Sequence, residues 1–114
     1  DPTMRIAQEE IFGPIITVIA WNDYDRMLEI ANGLLYGLTA VLVTNDLHAA
    51  HRTAEALQVG YVEVNGPVGF ALGSPFGGYK QSGIGRELGK WGVEEYLQVK
   101  QVYINLSEEP IGWY

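Results

Sequence analysis

The residues best suited by type to chemistry lie in SPFGGYKQSGIGRELG, residues 74–89, which packs five glycines and a lysine into one run. Glycine-rich runs cradle phosphates when backbone N–H groups converge on an anion at a helix N-terminus. Two such motifs come close here, and both fail. Residues 73–80 resemble G-x-x-x-x-G-K-[ST], but Tyr79 stands where the lysine should follow Gly78. Gly83, Gly85 and Gly89 space as G-x-G-x-x-x-G, one residue longer than the dinucleotide fingerprint. Both motifs also need a buried strand leading into the loop. The residues leading in are Gly-Ser-Pro-Phe-Gly-Gly-Tyr-Lys-Gln-Ser, which cannot form one. The glycines need another explanation.

Other reactive types are sparse. His48 and His51 stand three apart beside Asp46, a spacing found in helical metal sites, yet no third ligand follows at a recognisable spacing. Solvent-facing helix positions suit them better. The acid pairs Glu94-Glu95 and Glu108-Glu109 are sequence neighbours, which point apart and make poor catalytic dyads. Ser74 and Ser82 lack a nucleophile elbow. Lys80 and Arg86 could hold an anion, although an ion pair between elements is the commoner use of such an arginine. Phe70 and Phe76 could wall an apolar pocket or simply anchor their loop. In EEIFGP, residues 9–14, a carboxylate beside an aromatic suits a sugar diol next to a flat heterocycle. The same residues also fit a solvated acid with a core-anchoring phenylalanine, which physics alone favours.

Elements must place these side chains. IITVIAW, residues 15–21, is β-branched and almost wholly apolar, as a strand buried on both faces should be. Asn22 and Asp23 offer caps for a helix to about Asn32, with Met27, Leu28, Ala31, Leu34 and Leu35 at helical spacing. LTAVLVT, residues 38–44, reads as a second strand. Asn45 and Asp46 cap a second helix to about Gln58, with Leu47, Ala50, Ala54 and Leu57 on one face and Gly60 at the C-terminal cap position. YVEVN, residues 61–65, alternates as a third strand. The pattern predicts an α/β fold, a parallel β-α-β-α-β sheet of three-layer type with right-handed crossovers. The glycine-rich loop follows the third strand, at the ligand-binding end of such sheets. Residues after Gly85 read as short helical turns broken by Gly89 and Gly92, and residues 100–105 alternate like a strand exposed on one side. Three parallel strands leave apolar edges open, which points to missing chain or a partner subunit. Asp1, with the nearest methionine at Met4, reads as the start of an excised piece.

The composition is globular, with 47% hydrophobic and 18% charged residues in 114, enough for one domain or part of one. A chain of this size is expected to bury roughly two-thirds of its unfolded surface. A net charge of −7 argues against nucleic acid. No cysteine is present, which removes disulfides, thiolate zinc sites and a cysteine nucleophile together. No apolar run approaches a membrane span. A cytoplasmic protein is the expectation.

Taken together and in this order, EEIFGP, YGLTAVLVTND, GYVEVNG, SPFGGYKQSGIGRELG and YLQVKQVYINL closely resemble the C-terminal part of the NAD(P)-dependent aldehyde dehydrogenases, over about residues 2–106. The resemblance implies that Glu10 bonds the nicotinamide ribose hydroxyls and Phe12 packs beside the nicotinamide ring. It implies that Phe70 and Phe76 line the aldehyde tunnel, and that the glycine run is a tightly folded connector. Residues 1–97 would then belong to the catalytic domain, 98–106 would form an oligomerisation strand that joins another subunit, and 107–114 a tail. The implied reaction oxidises an aldehyde to a carboxylic acid with NAD or NADP. No catalytic residue of that reaction falls here, because the nucleophile and general base lie upstream in the family. The implied partners are the rest of the enzyme chain, a small aldehyde and further copies in a homo-oligomer, with no metal, nucleic acid or membrane. Gln98 replaces a common glutamate and Glu63 a common aromatic, so contacts at those two positions differ. The rival expectation is a non-catalytic interaction module that pairs through its sheet edges.

Overall fold

The computed structural model describes residues 1–66, 71–109 and 112. Its elements are α1 (Arg5–Gln8), α2 (Tyr24–Asn32), β1 (Tyr36–Gly37), β2 (Thr39–Leu42), α3 (Leu47–Ala56), β3 (Tyr61–Val64), β4 (Tyr79–Lys80) and α4 (Gly89–Glu94). Both longer helices begin where short acids can cap them. The Asp23 carboxylate accepts from the Arg26 N–H at 2.7 Å. Asp46 accepts from the N–H groups of His48 and Ala49. Each cap satisfies donors that a helix leaves unpaired at its start.

β2 and β3 pair in parallel, Thr39 opposite Tyr61 through Leu42 opposite Val64, with α3 as the crossover. Asn65 extends that pairing past the ladder. Its side chain accepts from the Thr44 N–H at 2.9 Å and donates to the Thr44 carbonyl at 2.8 Å. Its φ of 57° turns the chain away from the sheet. The helices are joined largely by polar contacts. Asn32 donates to the Ala56 carbonyl and accepts from the Gln58 N–H. The Tyr24 hydroxyl lies 3.1 Å from that of Thr53, and the Arg52 guanidinium sits 3.8 Å over the Tyr24 ring.

The structure differs from the expected elements at five points. Residues 15–21 join no ladder among the described residues, and Ile16 and Val18 are almost fully exposed. An apolar β-branched run makes a strand only where a neighbour supplies its hydrogen bonds. Residues 100–105 likewise form no strand, for the same reason. Tyr36–Gly37, outside any expected strand, pairs antiparallel with Tyr79–Lys80, a two-residue strand within the run expected to form none. On α3 the buried positions are Ala50 and Thr53, with Leu57 just beyond, while Leu47 is 71% exposed. Gly92 sits within α4 rather than breaking it.

The glycines act by letting backbones meet. A Cβ at Gly60 would collide with the carbonyl of Gly77, and one at Gly37 with the carbonyl of Gln58. Gly60 thus serves the crossing of two segments and not a helix cap, which falls to Leu57. The fold is open. Among the described residues only Ala50 and Leu57 are buried apolar side chains. The chain presents 9964 Å² to solvent, whereas a compact monomer of this mass exposes ~6,200 Å². The expected single core is therefore not assembled within this chain.

Candidate functional site

EEIFGP follows α1, and α1 decides which of its two acids is available. Arg5 faces Glu9 across one helical turn and holds it with two charge-assisted bonds, Nε to Oε1 at 2.9 Å and a second at 2.7 Å. That hydrogen-bonded guanidinium lowers the Glu9 pKa and raises that of Arg5. Glu10 has no such partner among the described residues. Glu9 and Glu10 both line a cavity of about 570 Å³, with Ala31, Leu34, Tyr36 and Leu57. That volume lies within the ~300–1,000 Å³ of small-molecule pockets. Of the two acids at this mostly apolar hollow, Arg5 engages Glu9, and Glu10 has no ion-pair partner among the described residues. Phe12 is 96% exposed and lines no part of that cavity.

Phe76 sits elsewhere. Its backbone exchanges two hydrogen bonds of 2.8 Å with Glu87. Its ring meets that of Tyr61 edge-on, centroids 6.1 Å apart. It lines a second cavity of about 350 Å³ with Ser82, Arg86, Glu95 and Tyr96. Leu38 and Ser82 line both cavities and form the partition between them. Phe70 lies outside the described residues. The structure therefore brings Glu10 and Phe76 to two sides of one partition and leaves Phe12 on the open surface.

Arg86 and Lys80 do not form the expected ion pair or anion clamp. Arg86 donates to the carbonyls of Gly78 at 3.0 Å and Gly85 at 2.6 Å, and its own N–H donates to Glu95. Lys80 donates to the carbonyls of Asn32 and Leu34. Both cationic side chains fasten backbone carbonyls. His48 and His51 are exposed on α3, and no group of three or more potential metal ligands occurs among the described residues. Sequence reasoning missed Ser82, whose hydroxyl accepts from the Gly37 N–H at 2.9 Å. It also missed Asn65, whose signal was an asparagine ending a strand, the residue type that tolerates left-handed backbone.

The sequence model of the aldehyde dehydrogenase family matches residues 1–102. The chain is 46% identical over 112 residues to the chloroplastic betaine aldehyde dehydrogenase of Atriplex hortensis, covering 98% of this chain and 22% of that protein. It is 48% identical over 102 residues to a putative aldehyde dehydrogenase of Staphylococcus aureus, covering 90% and 21%. Among solved structures, betaine aldehyde dehydrogenase from Staphylococcus aureus in complex with NAD+ matches with a TM-score of 0.91 at 42% identity, over 100% of this chain and 23% of that one. The chain thus spans between a fifth and a quarter of the proteins it matches, and it shares their α/β fold over that span.

Proposed function

This chain belongs to the aldehyde dehydrogenase family, and from that premise we propose that it is the C-terminal part of the catalytic domain of an NAD(P)-dependent aldehyde dehydrogenase. The observation that carries the reading is the division of labour between the paired acids. Arg5 occupies Glu9, and Glu10 stands unpaired among the described residues at the rim of the 570 Å³ cavity. A carboxylate with both oxygens available accepts from a vicinal diol, which fits the ribose on the nicotinamide side of the cofactor. Phe12, on the next turn of chain, supplies a flat apolar face for the nicotinamide once the rest of the site closes over it. Phe76 lines the aldehyde's approach on the other side of the Leu38–Ser82 partition.

The bound nicotinamide supplies the acceptor for hydride from the substrate carbon. This chain's own part is to orient the ribose through Glu10 and to keep the substrate side apolar through Phe76. The family reaction uses a cysteine thiolate, and these 114 residues contain no cysteine. The chain alone is therefore expected to be inactive, with nucleophile and base supplied by the remainder of the enzyme. NAD+ is the first cofactor to test, since similar solved structures hold it. Betaine aldehyde and aminoaldehydes are the first substrates, since the relatives at 46% identity carry those names. Residues 98–106 are proposed to add as a strand to another subunit, and the enzyme is proposed to be a homo-oligomer.

The test is Glu10→Gln in the full-length enzyme that carries this segment. The expected result is a KM for the cofactor raised about ten-fold or more, or a matching loss in kcat, as for other positioning contacts. Unchanged kinetics would remove Glu10 from the site. A second reading, a non-catalytic module that associates through sheet edges, draws on the unpaired apolar residues 15–21. It predicts a partner that binds the chain in the absence of any aldehyde dehydrogenase sequence.

A further inference from the structure

We infer that Lys80 is a positioning residue for the substrate side of the site, pinning the glycine-rich loop to the carboxyl end of α2; the inference rests on the tunnel reading of Phe76 given above. Its Nζ donates to the Asn32 carbonyl at 2.6 Å and to the Leu34 carbonyl at 3.0 Å. Carbonyls at the end of a helix lack intrahelical partners and carry the negative end of its dipole. α2 has no basic residue in its own last turn. A cation from 48 residues further along the chain takes that place.

The backbone of Lys80 is held as firmly as its side chain. Its φ of 54° is left-handed, a conformation that a residue with a Cβ adopts only under constraint. Around it, the loop is tied to the segment after α2 at successive positions. Lys80 pairs with Tyr36, the Gln81 N–H donates to the Leu35 carbonyl at 3.0 Å, and the Gly37 N–H donates to the Ser82 hydroxyl at 2.9 Å. Phe76 lies four residues upstream, edge-on to Tyr61, and the carbonyl of Gly77 presses against Gly60.

The loop is therefore fixed by Glu87 at Phe76, by the segment after α2 along residues 79–82, and by the Lys80 side chain at the α2 end. Lys80 itself lines neither cavity. Its effect must pass along the loop to Phe76, which lines the smaller cavity alone. Loss of the ammonium removes the side-chain tie to the α2 end, leaves the backbone pairing in place, and loosens the wall that Phe76 forms.

The experiment compares Lys80→Met, Lys80→Arg and Phe76→Ala in the full-length enzyme, on active-site-titrated protein, with a short aldehyde, a bulky aldehyde and NAD+. Lys80→Met should raise KM for the bulky aldehyde about ten-fold while kcat and the cofactor KM stay within about two-fold, the pattern of a misplaced substrate wall. Lys80→Arg, which keeps a cation that can donate to two carbonyls, should restore most of the loss. An equal loss for every substrate and for NAD+ overturns the inference. So does an unchanged Lys80→Met enzyme when Phe76→Ala alters aldehyde selectivity. If Phe76→Ala leaves selectivity unchanged, the tunnel reading falls and the Lys80 role falls with it. Should Lys80→Met fail to fold, Ser82→Ala must reproduce the selectivity shift, and its failure to do so counts against the inference.

Discussion

Among the individual residues, the neighbours Glu9 and Glu10 show how one helical turn assigns two roles to two identical side chains. Arg5 lies four positions before Glu9 and none before Glu10 that could serve it, so only Glu9 is claimed. The sequence displayed both acids, but telling them apart needed the orientation that α1 imposes. Arg5→Gln should return the Glu9 carboxyl to the ordinary carboxylate range, which carboxyl-resolved NMR titration would record. The sign of the pH effect follows from the direction of the shift. Glu9 is lowered in the folded state, so the pair's contribution is present above the ordinary carboxylate pKa and fades as pH falls through the lowered value. Both partners are solvent-exposed, so the pair orients the turn more than it stabilises the fold.

For the elements, caps were legible and only one ladder was. Asp23 and Asp46 announced α2 and α3 because a cap is a local bond, fixed by residues two or three apart. Asp46→Ala should weaken the start of α3 by about 1 kcal/mol, seen as faster amide exchange at His48 and Ala49. The β2–β3 pair with its helical crossover could also be read, since α3 has the length and face to return the chain. Residues 15–21 could not, because their apolar pattern specifies burial without saying what supplies the neighbouring strand. The same holds for residues 100–105. The glycine-rich run was legible as a connector, but not that Gly60 receives the carbonyl of Gly77. Gly60→Ala puts a methyl against backbone that has no rotamer to yield. A loss of about 3 kcal/mol, in the range of strained backbone substitutions, is the expectation, read as a lowered melting temperature of the full-length enzyme.

The whole molecule is set by its missing core. Its radius of gyration is 21.7 Å and its longest dimension 72 Å, where a compact chain of this length would have a radius near ~13 Å. The excess exposed area, taken with open edges at β2 and β3, matches the scale of an obligate interface. The isolated chain should therefore associate, and light scattering that found a stable monomer at high concentration would contradict this. It should also bind NAD+ poorly, because it holds only the nicotinamide end of the site; tight binding by calorimetry is the opposing result. The exposed apolar side chains within residues 15–21 and 96–106 carry a further consequence for life in a cell. A polypeptide with that much uncovered surface is what proteases and chaperones select. Within a longer enzyme, any variant that leaves those residues uncovered should therefore be degraded faster than the intact protein.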